Sequence, residues 1–169
     1  MARIQRMGAL YFIALIAVSL YLAPSVAHVL EMPNKVGLDR AQYFTVQQIY
    51  SGWAMLGIVL NTALIATLAL GIWLRKRLRR PAAWAFASFG CLVAGQVIFW
   101  VFTFPANRAT SNWTQVPANW EALRMQWEYS HASGALLNLA AMATLVLSTL
   151  SWSRSLADRD ESRGEASDC

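Results

Sequence analysis

Long apolar runs separated by short polar segments occupy most of the chain, at residues 7–27, 49–74, 82–104 and 132–152. A hydrocarbon core about 30 Å thick needs roughly 20 apolar residues in a helix, and each run meets that length. The second is long enough to tilt. Pro81 and Pro105 bracket the third. The fourth helix is expected to begin earlier than its apolar run, because Ala118–Asn119–Trp120–Glu121 carries the Asn and the early acid of a helix start. The pattern predicts an all-α fold, an antiparallel bundle of four transmembrane helices over residues 1–152. Its spans are placed at about 7–31, 47–75, 82–104 and 119–152. The polar, Ser-rich segment 153–169 reads as a disordered cytoplasmic tail. Arg3, Arg6 and the Ser25–Val26–Ala27 stretch also give the first run some marks of a secretory leader. Its apolar part is long for that role, and the four-span reading is preferred.

Composition supports lipid as the solvent. Of the 169 residues, 57% are hydrophobic and only 14% charged, whereas soluble domains carry about 25% charged residues. The net charge of +5 does not indicate nucleic acid, because the basic residues flank apolar runs. Arg75, Lys76, Arg77, Arg79 and Arg80 form one dense loop, Arg3 and Arg6 precede the first run, and Arg154 follows the last. The segment 30–46 instead balances Lys35 and Arg40 against Glu31 and Asp39, and 105–120 carries only Arg108. The positive-inside rule then places both termini and the basic loop in the cytoplasm, as expected for the inner (plasma) membrane of a bacterium. Cys91 and Cys169 are too few, and placed too differently, to imply a disulfide framework.

With that topology, the chemistry gathers at the outer end. The chain has two histidines, and each lies three residues from a glutamate: His28 with Glu31, and Glu128 with His131. That spacing puts the partners on one helix face. The helices run in opposite directions, so both motifs place His deeper and Glu nearer the surface. Arg124, Glu128, His131 and Asn138 continue one face of the last helix, and Gln96, Trp100, Thr103 and Asn107 mark one face of the third. Ionisable groups within a span are costly and normally face the bundle interior. The predicted catalytic set is therefore His131, Glu128, His28, Glu31 and Arg124. The predicted pocket is lined by Gln47, Gln48, Tyr50, Trp100, Asn107, Trp113 and Trp127.

Several chemistries suit this set. His28, Glu31, Glu128 and His131 are ligand types for a single iron, copper or zinc ion, and two histidines at similar depth suit a haem b ligated from both sides. Without any cofactor, a His–Glu pair serves as a general base. A di-iron bundle needs more carboxylates than are present. A binding or transport protein, or a non-enzymatic subunit of an oligomer, is the alternative class. A transport path through the middle would rest on Asn61, Gln96 and Asn138 alone.

The segments AHVLEMPNK, FTVQQIYSGWA and FPANRATSNWTQVPANWEALRMQWEYSHASGALL resemble the anthrone-oxygenase-like family of small four-helix membrane proteins. The resemblance spans about residues 7–152 and is most specific from Asn107 to the Trp127–His131 run. Fungal members are associated with the oxygen-dependent conversion of anthrones to anthraquinones. The resemblance implies an oxidoreductase acting on an apolar aromatic small molecule. The lipid bilayer as partner, and the absence of a nucleic-acid partner, are expected from the composition and charge placement.

Overall fold

A computed structural model describes the backbone of residues 2–167 and the side chains of residues 4–158. Among the described residues all regular secondary structure is helical, with no strand. The elements are α1 (Ala2–Lys35), α2 (Arg40–Gln47), α3 (Leu56–Leu74), α4 (Arg79–Ile98), α5 (Phe104–Ala109) and α6 (Trp120–Ser167). Single 3₁₀ turns at Gln48–Tyr50 and Trp53–Met55 lead into α3, and a π-helical turn, Phe99–Thr103, carries α4 into α5. The 4 stretches Ile4–Lys35, Trp53–Leu74, Arg79–Ala109 and Trp120–Asp158 are long and apolar enough to cross a membrane. This is the architecture of an integral membrane protein.

The long helices form a ring. α1 packs on α3 and α6, and α4 packs on the same two, so sequence neighbours lie side by side and antiparallel. Small residues line the contacts: Ala14, Ala17, Ala63, Ala66, Ala85 and Ala141 are buried. In lipid there is no hydrophobic drive to hide large side chains, and close backbone approach supplies the packing instead. The large aliphatics point outward accordingly, with Ile58, Ile65 and Leu136 each 68–70% exposed.

The end beside the basic turn is tightly closed. Ser148 Oγ donates to Pro81 O at 2.7 Å and contacts the Tyr11 hydroxyl at 2.8 Å, and Trp152 stacks on Tyr11. Ser88 Oγ donates to Ala141 O at 2.8 Å. At the other end the bundle opens. The buried residues of α3 begin at Leu60 and those of α4 stop at Leu92. α2 and the following turns lie across this opening.

Several bounds differ from the sequence-based expectation. α1 continues to Lys35, through Pro24 and Pro33. The second span starts near Trp53 rather than residue 47, because Gly52, at φ +86°, turns the chain between two short helical turns. Pro105 does not end the third span. It lacks an N–H and crowds the carbonyl four residues before it, and the chain absorbs this in the π-helical turn and continues to Ala109. Residues 153–167, expected to be disordered, continue α6 as helix. Cys169 lies outside the described residues.

Candidate functional site

The open end holds a cavity of about 770 Å³, within the size range of small-molecule sites. Its walls are aromatic and amide-rich, and His28 and His131 both line it. The two imidazoles meet, with ring centroids 4.4 Å apart. Trp127 packs on His131 at 3.9 Å, and Tyr50 on His28 at 4.6 Å.

Each histidine commits one nitrogen to the protein. His28 Nδ1–H donates to Glu31 Oε1 at 2.8 Å, and His131 Nδ1–H donates to the carbonyl of Trp127 at 3.0 Å. Those partners fix the tautomer. The Nε2 lone pairs are left without a protein partner among the described residues.

Behind the histidines lies an ionic network built around Lys35, a residue read from sequence only as a loop charge. Its ammonium is 3.2 Å from Glu128 Oε1 and 3.3 Å from Glu31 Oε1, and it donates to the Tyr50 hydroxyl at 2.6 Å. It also sits 4.6 Å from the ring centroids of Tyr50 and Trp127. Lys35 is 2% exposed and Glu128 1%. Such burial is tolerable for two charges only when they are paired. Tyr50 donates to Glu31 as well, and Tyr43 donates to Glu128 Oε1 at 2.8 Å while accepting from Gln47 Nε2. Burial, and then the charge of Glu128, push the Tyr43 phenol well above the ordinary tyrosine range, so it stays a donor.

Local geometry explains how these groups arrive. His28, Glu31 and Lys35 follow intervals of three and four on α1, which is one helix face; the extension past Pro33 brings Lys35 onto it. Asp39 caps α2 by accepting from the backbone N–H of Gln42 at 2.9 Å. That starts a helix whose Tyr43 and Gln47 are both buried. Asn107 Oδ1 accepts from the indoles of Trp113 (3.1 Å) and Trp127 (2.9 Å). Trp113 is delivered by three consecutive left-handed residues, Ser111, Asn112 and Trp113, at φ +48°, +55° and +64°. This conformation is disfavoured for side-chain-bearing residues and persists where the surroundings hold it. Here Trp113 is 4% exposed, against Tyr43 and Phe44.

Of the residues singled out from sequence, His28, His131, Gln47, Gln48, Tyr50, Trp100, Asn107, Trp113 and Trp127 line the cavity. Glu31 and Glu128 stand behind it, bonded to Lys35. Arg124 lies away from it, donating to Leu38 O at 2.8 Å and stacking on Trp120 at 4.7 Å. Glu121 is exposed. Among the described residues, no three His, Cys, Asp or Glu side chains are grouped so as to hold a metal ion. The reason is physical: the Lys35 ammonium occupies the place between the carboxylates that a cation would take. The haem b arrangement does not fit either. Iron held from both sides separates its two nitrogens by about 4 Å, at ~2 Å per bond, with the porphyrin between. Imidazoles in mutual contact leave no such gap. The chain matches no family model, no curated protein and no solved structure.

Proposed function

We propose that the protein is a membrane oxidoreductase of the oxygenase type, acting on a flat, apolar aromatic molecule of the anthrone or quinone kind. The observation that carries this reading is the touching pair of imidazoles on an aromatic-walled cavity, each with Nδ1 committed and Nε2 free of protein partners.

His28 is the better base of the two. Taking a proton on Nε2 puts positive charge on the ring, and the Glu31 carboxylate on its Nδ1–H stabilises that charge. His131 offers its Nδ1–H only a neutral carbonyl. An anthrone methylene, flanked by two rings and conjugated to a carbonyl, gives up a proton to form a delocalised anion. Dioxygen then takes four electrons: the methylene loses both hydrogens and gains one oxygen atom as a carbonyl, and the second oxygen atom leaves as water. The aromatic walls hold the ring system, and the lipid bilayer delivers an apolar substrate. Loop charge favours a cytoplasmic basic turn and termini, which puts the cavity at the outer leaflet of the plasma membrane.

The test is oxygen uptake and quinone formation by the purified protein with an unsubstituted anthrone. One dioxygen consumed per quinone formed, lost in His28→Ala, is expected. No uptake by the wild-type protein contradicts the oxygenase assignment and leaves a binding protein.

A further inference from the structure

We propose a second polar subsite at the floor of the cavity, formed by Tyr21 and Gln96, that binds a hydroxyl group at the end of the ligand remote from the histidines. The inference rests on reading the cavity as an aromatic-ligand site, and it adds what that ligand must carry.

The floor lies well inside the bundle, where polar side chains without a purpose are costly. Gln96 Nε2 donates to the Tyr21 hydroxyl at 3.1 Å, and Asn138 Nδ2 donates to Ser25 Oγ at 2.9 Å. All four residues line the cavity. These bonds leave capacity unused. The Tyr21 hydroxyl accepts from Gln96 and donates to no protein atom among the described residues, so its proton is available. Gln96 lines the cavity, and its Oε1 has no protein partner among the described residues and is not fully buried. Asn138, 5% exposed, keeps a buried carbonyl oxygen without a partner beside Gly95. A donor and an acceptor thus stand side by side. A single ligand hydroxyl satisfies both, accepting from Tyr21 and donating to Gln96.

Helix geometry sets the reach. Tyr21 precedes His28 by seven residues on α1, and Asn138 follows His131 by seven on α6. At ~1.5 Å per residue the floor lies about 10 Å below the imidazoles. The ligand is therefore elongated and rigid, apolar in the middle, with one polar atom at the histidines and a hydroxyl about 10 Å away. Biphenyl bearing a hydroxyl at each far end has this shape, and the same molecule with one hydroxyl is its control.

The experiment titrates both probes into the purified full-length protein and follows quenching of its tryptophan fluorescence. Wild-type protein should bind the doubly hydroxylated probe about tenfold more tightly, the worth of one added hydrogen-bonding group. In Tyr21→Phe, and independently in Gln96→Leu, that preference should collapse while affinity for the singly hydroxylated probe is kept. Retained affinity for the control probe also shows that each variant has folded. Equal affinities in the wild type, or a preference that survives both substitutions, overturns the subsite and leaves the aromatic cavity standing. Failure of both probes to bind the wild type overturns the aromatic-ligand reading and the subsite with it.

Discussion

His28 and His131 come from opposite ends of the sequence and meet with ring centroids 4.4 Å apart, each anchored through Nδ1 to its own helix. The antiparallel course of α1 and α6 makes this possible, since both place the histidine deeper in the bundle than its glutamate. The pair also separates two tasks. The imidazoles face the cavity, and the carboxylates behind them are held by one lysine.

Lys35 is central to that support. Removing it leaves Glu128 buried and uncompensated, which typically costs about 3–5 kcal/mol. Lys35→Met should therefore lower the thermal unfolding midpoint in detergent sharply. The double substitution Lys35→Met with Glu128→Gln should recover most of the loss, because the stranded charge is gone. A double variant no more stable than Lys35→Met would show that the pair is not coupled.

The Tyr43 hydroxyl gives a pH signature. Its pKa is raised in the folded protein, by burial first and then by Glu128, so the folded state holds the proton more tightly than the unfolded chain. Stability from this group is fully present below the unfolded tyrosine value, about pH 10, and falls as pH rises past it. Tyr43→Phe should be less stable at neutral pH, having lost the bond to Glu128, and should show a shallower decline above pH ~10. Denaturation followed by circular dichroism across that range measures both. An unchanged slope in Tyr43→Phe contradicts the assignment.

At the closed end, a methyl group added at Gly71 would lie 2.6 Å from the Phe86 ring. Gly71→Ala should destabilise by about 1–3 kcal/mol, as overpacking generally does. Phe86→Leu should relieve part of that. Ligand binding at the far end should be unaffected, which separates anchor from site.

Much of the fold was legible in the sequence because hydropathy and helix length are local, strong signals. The four spans and the clustering of His28, Glu31, Glu128 and His131 at one end need only run length and direction. What was missed depended on where helices end. Lys35 sits past Pro33, a residue that usually interrupts a helix, so it read as a loop charge; only its four-residue spacing from Glu31 hinted at a shared face. Tyr43 belongs to an eight-residue helix too short to show a clear apolar period, marked in the sequence by the Asp39 cap. The lysine between the two glutamates was hidden from the sequence for the same reason, since its helix runs past a proline.

Asn107 is a smaller test of how the wall is held. It accepts from the indoles of Trp113 and Trp127. Asn107→Leu should leave both N–H groups unsatisfied, at about 1–3 kcal/mol each, and loosen the left-handed turn at residues 111–113. Faster amide hydrogen exchange confined to that turn and to the start of α6 is the expected result. Uniform exchange across the bundle would instead indicate global destabilisation.

In the proposed reaction His28, backed by Glu31, acts as a base toward an aromatic carbon acid in the cavity. The most direct measurement removes oxygen and follows proton abstraction alone: exchange of an anthrone's methylene hydrogens for deuterium, by NMR, in anaerobic deuterated buffer. Catalysed exchange by wild-type protein, slowed at least tenfold in Glu31→Gln and abolished in His28→Ala, is the predicted result; factors of 10²–10⁴ are usual for a positioned base. Exchange at the same rate in wild type and His28→Ala would contradict it.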